Sequence, residues 1–222
     1  MTLQNFEKSR EAMVVSQLQP SGIMDVTVNE AFLSIPRENY VPQALRGVCY
    51  LDDDIALGHE RSLLEPLVLA LMIQDASLNA ESCVLDIGGA TGYSAAVEAQ
   101  IVGTVIAVDS NEKLLHEARM AWKNDQISNI TPVLGRHQDG YKAGAPYDAI
   151  FINGAVEKPS EILFDQLSPS GKLYCVVKKK SESIGKVTVF EKTEAGQIYS
   201  KTIGEAATPY LEGFIPKTEF KF

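Results

Sequence analysis

The chain has 222 residues, 45% of them hydrophobic and 22% charged, with a formal net charge of -9. That is enough apolar material for one globular core, and the wrong sign for a protein whose main partner is a phosphate backbone, so no nucleic-acid partner is expected. Cys49, Cys83 and Cys175 are scattered and fit neither a disulfide framework nor a zinc site, no stretch has the length of a membrane span, and the N-terminal MTLQNFEKSREAM lacks an apolar signal core, which together predict a cytoplasmic protein with free thiols, no metal and no membrane partner.

Residues 5–18 carry a helical period, with Phe6, Met13, Val14 and Leu18 toward one face. Residues 26–34 read as a second short helix that stops before Pro36. The segment IPRENYVP, residues 35–42, lies between two prolines and reads as a turn, and residues 48–57 as a mixed loop or short strand. Residues 62–78 predict a helix with Pro66 in its first turn, where proline is tolerated, and Glu65 reads as its cap or as an acidic partner for a ligand's ammonium group. With no strand–helix alternation, residues 1–80 read as a helical N-terminal cap.

From residue 82 the pattern changes. Strand-like runs occupy 82–87, 104–108, 130–134, 148–152 and 172–177, and helical segments 93–102, 112–124 and 159–167. The runs CVLDI, TVIAVD and AIFIN are almost wholly apolar, as strands buried on both faces are. Lys178, Lys179 and Lys180 read as a solvated loop. Residues 186–190 and 197–203 flank the turn-like EKTEAG and predict an antiparallel hairpin closing the sheet. The expectation is one domain over residues 1–222. Its core, residues 81–222, is α/β, a Rossmann-like, mostly parallel sheet with an antiparallel C-terminal hairpin.

The most informative stretch follows the first of these strands. Asp86 closes an apolar run, and Gly88, Gly89, Ala90, Thr91 and Gly92 form a loop of small residues before Tyr93 and a helix. Such a turn brings a ligand close to backbone. Asp109, roughly 20 residues after the turn, ends the next strand, where an acidic side chain accepts hydrogen bonds from ribose hydroxyls. A dinucleotide fingerprint needs glycines at its first, third and sixth positions. Counted from Gly88 these are Gly88, Ala90 and Tyr93, so the last is missing, and no GxxxxGK[ST] loop exists. The spacing instead resembles the acidic-then-GxGxG pattern of S-adenosylmethionine (SAM) methyltransferases, read as Asp86, Gly88, Ala90 and Gly92.

Beyond this motif the chain resembles the protein-L-isoaspartate O-methyltransferase family over nearly its full length, in a divergent bacterial form. The resemblance is carried by Met13-Val14, Gln17-Leu18, Gly22-Ile23 and Asp25, by Ile35-Pro36-Arg37-Glu38 and Tyr40-Val41-Pro42, by Tyr50 with Asp52, and by Ala56-Leu57-Gly58. It continues through Gly92-Tyr93-Ser94-Ala95-Ala96, Pro146-Tyr147-Asp148-Ala149-Ile150, Gln166-Leu167 and Gly171-Lys172-Leu173. It implies SAM as cofactor, a seven-stranded sheet, and methylation of the free carboxylate of L-isoaspartyl residues in damaged peptides or proteins. It also adds Ser110 and Asn153 to the cofactor residues.

Three segments depart from the family. The serine that lies at the acceptor carboxylate is replaced by Leu64 within Glu60-Arg61-Ser62-Leu63-Leu64, which leaves Arg61, a two-point carboxylate ligand, and Ser62 as candidates for holding the acceptor. Arg61 reads equally well as a surface partner of Glu60 or Glu65. The family's Gly-Asp-Gly aligns with Gly135-Arg136-His137, with Asp139-Gly140 close by, and its Thr-Ala-Ala reads Asn153-Gly154-Ala155. A carboxylate acceptor is already ionised at neutral pH, with a reference pKa of about 4, so alignment and exclusion of water suffice without a general base. Two further readings stay open: a SAM methyltransferase with a different acceptor, and a SAM-binding protein with little transferase activity.

Overall fold

The computed structural model describes residues 5–216; the first four and last six residues of the predicted domain lie outside it. The first helix, α1 (Phe6–Met13), is capped by the Asn5 side chain, which accepts from the Lys8 N–H. The chain continues through a wider π turn (Val14–Leu18) and stops at Gly22 in a left-handed conformation. Asp25 caps α2 (Val26–Ser34) by accepting from the N–H groups of Thr27 and Val28. The segment at 48–57, expected as a mixed loop or short strand, ends in one strand of a two-stranded hairpin, β1 (Ile55–Gly58) and β2 (Arg61–Leu63). The helix predicted over 62–78 therefore starts later, as α3 (Pro66–Ala76) with proline at its first position.

The remaining elements alternate. In chain order they are β3 (Cys83–Ile87), α4 (Tyr93–Glu98), β4 (Thr104–Asp109), α5 (Glu112–Asn124), β5 (Ile130–Leu134), β6 (Tyr147–Val156), α6 (Glu161–Asp165), β7 (Leu167–Val177), β8 (Gly185–Lys192) and β9 (Ile198–Ala206). They build one seven-stranded sheet in the order β5-β4-β3-β6-β7-β8-β9. Neighbours from β5 to β7 are parallel, and β7, β8 and β9 are antiparallel. The α/β sheet and its closing hairpin are thus as the sequence predicts. Strand β7 begins at Leu167, inside the segment read as helix, because Leu167 pairs with Tyr147 ahead of a bulge.

The sheet is buried on both faces. On one face Val84, Val105, Ala149, Phe151 and Tyr174 join Met13, Leu18, Phe32, Val68 and Leu69 from the N-terminal helices in one apolar cluster. On the other, Leu85, Ile87, Ile150, Ile152 and Leu173 pack with Leu163, Phe164 and Leu211. Alternating residues of β3 thus serve opposite cores, as the period of a strand requires. The cap is tied in by polar bonds as well: Arg37, fully buried, donates to the carbonyls of Cys49 at 2.7 Å and Leu64 at 2.6 Å. Its guanidinium also lies 4.6 Å from the ring centroid of Tyr93.

Candidate active site

The chain leaves β3 outward through β4 and β5 before returning to β6 on the other side of β3. Open α/β sheets bind ligands outside the carboxyl ends of their strands at such a reversal. Asp86 lies near the end of β3, the glycine-rich turn follows it, Asp109 ends β4, and Asn153 lies in β6.

The turn is tightly specified. Ala90 takes a left-handed φ of 52° where the pattern has a glycine, a conformation that costs a residue with a Cβ about 1 kcal/mol. Gly92, at φ 88°, has Trp122 beneath it: the indole Nε1 donates to its carbonyl at 2.8 Å, and a Cβ there would meet the ring at 2.6–2.7 Å. This close approach of Trp122 excludes a side chain at Gly92. Thr91 and Tyr93 face the cap: the Thr91 hydroxyl donates to the Tyr40 carbonyl at 2.6 Å, and Tyr93 packs edge-on against Phe32 and Tyr40.

Under Gly89 lies a buried acidic pair. Asn153 donates to Asp86 Oδ2 at 2.8 Å and to the Ile87 carbonyl at 3.2 Å. Glu98, fully buried in α4, ends beside Asp86; burial, reinforced by the Asp86 charge, raises its pKa far above the ordinary carboxyl range. Burial also raises Asp86, while Ser94, Asn153 and Glu98 counter that rise. Both carboxyls are thus pushed upward, Glu98 the further of the two.

Arg61 is not at the surface with Glu60 or Glu65. Its Nη1 donates to Asp109 Oδ1 at 3.0 Å and its Nη2 to Oδ2 at 2.7 Å, a two-point ion pair with side chains 1% and 3% exposed. Nη2 also donates to the Gly88 carbonyl at 2.7 Å. The N–H groups of Ala90 and Asn111 donate to Asp109 as well, at 3.2 and 2.9 Å. Burial would raise the Asp109 carboxyl, but its contacts with His137 and Arg61 outweigh burial and hold it down at about 2. Both oxygens of the predicted ribose ligand are therefore engaged by the protein.

The segment after β9, which carried no sequence signal, covers the same place. Residues Pro209 and Leu211 pair with the backbone of Ala155 in β6. Lys178, read from the sequence as solvated, is buried; its amine donates to the Thr208 carbonyl, and the Tyr210 hydroxyl donates to the Lys178 carbonyl. Leu211 closes over the turn, since a Cβ on Gly88 would meet its methyls at 2.7 Å and one on Gly154 its Cβ at 2.8 Å. On the β4 side the Ser110 hydroxyl donates to the Glu212 carboxylate at 2.8 Å. The Ser110 N–H donates to His137 Nε2 at 3.2 Å, and His137 Nδ1 lies 2.9 Å from the Glu212 carbonyl. His137, not Asp139, fills the inner position of its loop; Asp139 turns outward toward Arg136.

The acceptor-side candidates separate. Leu64 is buried and lines a cavity of about 10 Å³ with Ser62, Leu69, Gly89, Tyr93 and Asn153. Ser62 sits on the face of β2 opposite Arg61 and is half-buried. Glu65 makes no side-chain cap; its carboxyl is pushed up to about 7, by burial first and then by Asp54, Asp52 and Asp53. Among the described residues no group of His, Cys, Asp and Glu could hold a metal, and no helix is long and apolar enough to cross a membrane.

A family model described as Protein-L-isoaspartate(D-aspartate) O-methyltransferase (PCMT) matches residues 8–211. The chain is 34% identical over 168 residues to a protein-L-isoaspartate O-methyltransferase of Herpetosiphon aurantiacus, covering 76% of this chain and 75% of that one. It is 28% identical over 212 residues to a protein-L-isoaspartate O-methyltransferase 2 of Archaeoglobus fulgidus, covering 94% and 95%. A solved protein-L-isoaspartate O-methyltransferase superposes with a TM-score of 0.81 at 27% identity, over 93% of this chain and 67% of that one. A putative Plasmodium falciparum member, solved with S-adenosyl-L-homocysteine, shares the fold at TM-score 0.75 and 19% identity, over 95% and 99%.

Proposed function

The chain belongs to the protein-L-isoaspartate(D-aspartate) O-methyltransferase family, and from that premise we infer that it is a SAM-dependent carboxyl O-methyltransferase acting on peptides or proteins. The observation that carries this reading is the meeting of the glycine-rich turn with the Asp109 carboxylate at the reversal point of the sheet. The polar groups suit a nucleoside: Asp109 is ionised and accepts from hydroxyls as readily as from N–H groups, Ser110 and His137 flank its β4 side, and Asp86, Asn153 and the turn line the other. SAM, when bound, supplies an activated methyl group on a sulfonium. The protein's task is to orient the acceptor carboxylate and keep water out, which Leu63, Leu64 and Leu211 do with buried apolar surface.

An isoaspartyl carboxylate is the favoured acceptor. It must be held by groups other than a serine hydroxyl at position 64, which predicts slower turnover than the family's usual loop would give. One test is transfer of labelled methyl from SAM to an isoaspartyl peptide, with the matching aspartyl peptide as control. Label on the isoaspartyl peptide alone is expected; label on neither peptide would overturn the acceptor. A second reading, a SAM-binding member with little turnover, is favoured by one observation, the occupation of Asp109 by Arg61.

A further inference from the structure

The polar groups that would hold a ribose are present, but the space beside Asp109 is not. Where it would lie, the described residues enclose cavities of about 10 Å³ each, one along Asp86, Ala90, Asp109 and Trp122 and another along Arg61, Leu64, Asn153 and Leu211. A small-molecule site ordinarily offers about 300 Å³ or more. The missing volume is filled by particular groups. Arg61 spans the ribose carboxylate and the Gly88 carbonyl, Leu211 covers the turn, and Glu212 bridges to Ser110 and His137.

We propose that Arg61 is a resident competitor for the cofactor: it holds Asp109 in place of the ribose, and the nucleoside binds only when the β1–β2 hairpin withdraws it. The proposal rests on the methyltransferase reading and names a regulation of that site. The guanidinium is chemically matched to this role, since its two parallel N–H bonds satisfy both carboxylate oxygens as a ribose diol would. Its carrier is suited to move. The strands of the hairpin pair only with each other and share no ladder with the main sheet, so it can shift about its Ile55 and Leu63 anchors without breaking that sheet's pairing. It turns through His59 and Glu60 at φ 53° and 56°, left-handed conformations that ordinary side chains adopt at a cost. Withdrawing Arg61 alone leaves Asp109 a buried, half-satisfied carboxylate; the ribose hydroxyls repair that loss.

The test is calorimetry with S-adenosylhomocysteine on the full chain, comparing wild type with Arg61→Leu and Arg61→Lys, each checked for folding by circular dichroism. Trp122, the only tryptophan of the chain, lies under the turn and gives an independent fluorescence readout of binding. Arg61→Leu is expected to bind at least about 10-fold more tightly than wild type, a difference of about 1.4 kcal/mol. Arg61→Lys, which keeps the charge but not the fork, should fall between them and serves in place of Arg61→Leu if the latter does not fold. Equal or weaker binding by the folded variants, with wild type binding well, would overturn the competitor and leave the methyltransferase reading standing. No binding by wild type or any folded variant would remove both.

Discussion

Two buried carboxyl groups give the site opposite responses to pH. The pKa of Asp109 is lowered to about 2 by its contacts with His137 and Arg61 against the rise that burial would give. The stability it contributes is therefore present above its unfolded value near 4 and is lost as pH falls toward 2, roughly 2–3 kcal/mol in all. The pKa of Glu98 is raised, by burial first and by Asp86 second. Its folded state binds the proton more tightly, so stability is full below the unfolded value and is lost as pH rises. Acid-unfolding curves should show Asp109→Asn losing much of the wild type's drop between pH 4 and 2. Glu98→Leu should raise the melting temperature at pH 7, by about 1–3 kcal/mol of stability, with the gain fading below pH 4. A Glu98→Leu protein that melts lower at pH 7 would show that the carboxyl has partners beyond Asp86. At this scale the sequence was informative about Asp86 and Asp109 but not about Glu98. A glutamate inside SAAVEAQ reads as a solvated helix face until the sheet buries it.

The β1–β2 hairpin is the element that the sequence concealed. Two-residue hairpin turns with positive φ at both central positions favour Asn-Gly and similar pairs, and His59-Glu60 offers no such signal. The strands are short, and Arg61, its inward residue, looks like a surface charge. Without the hairpin, residues 62–78 read as one helix. By contrast, the apolar runs of β3, β4 and β6 were legible because strands buried on both faces tolerate little else. The strap at 208–214 was not, since it is held by backbone pairing to Ala155 and by the Lys178 amine, neither of which leaves a periodic trace. The strained turn makes its own prediction. Glu60→Gly removes a Cβ from a left-handed position and should stabilise the protein by about 0.5–1 kcal/mol, a rise of about 1–4 °C in melting temperature for a chain of this size. A fall instead would mean that the Glu60 side chain holds the turn.

At the scale of the molecule, the N-terminal helices and the sheet close on one another around a single apolar cluster that runs from Met13 through Tyr93 to Tyr174. That arrangement hangs β1 and β2 from the cap and delivers Arg61 over the crevice of the sheet, onto Asp109. The family's pattern survives in the sheet and its turn, while the acceptor loop differs in sequence at Arg61 and Leu64, both of which fold inward. A crystal structure grown with S-adenosylhomocysteine tests this most directly. The ribose hydroxyls are expected within hydrogen-bond distance of Asp109, with Arg61 displaced from the carboxylate and Leu211 moved off Gly88. A structure with the ligand bound elsewhere, and the Arg61–Asp109 pair intact, would contradict the assignment of this crevice as the cofactor site.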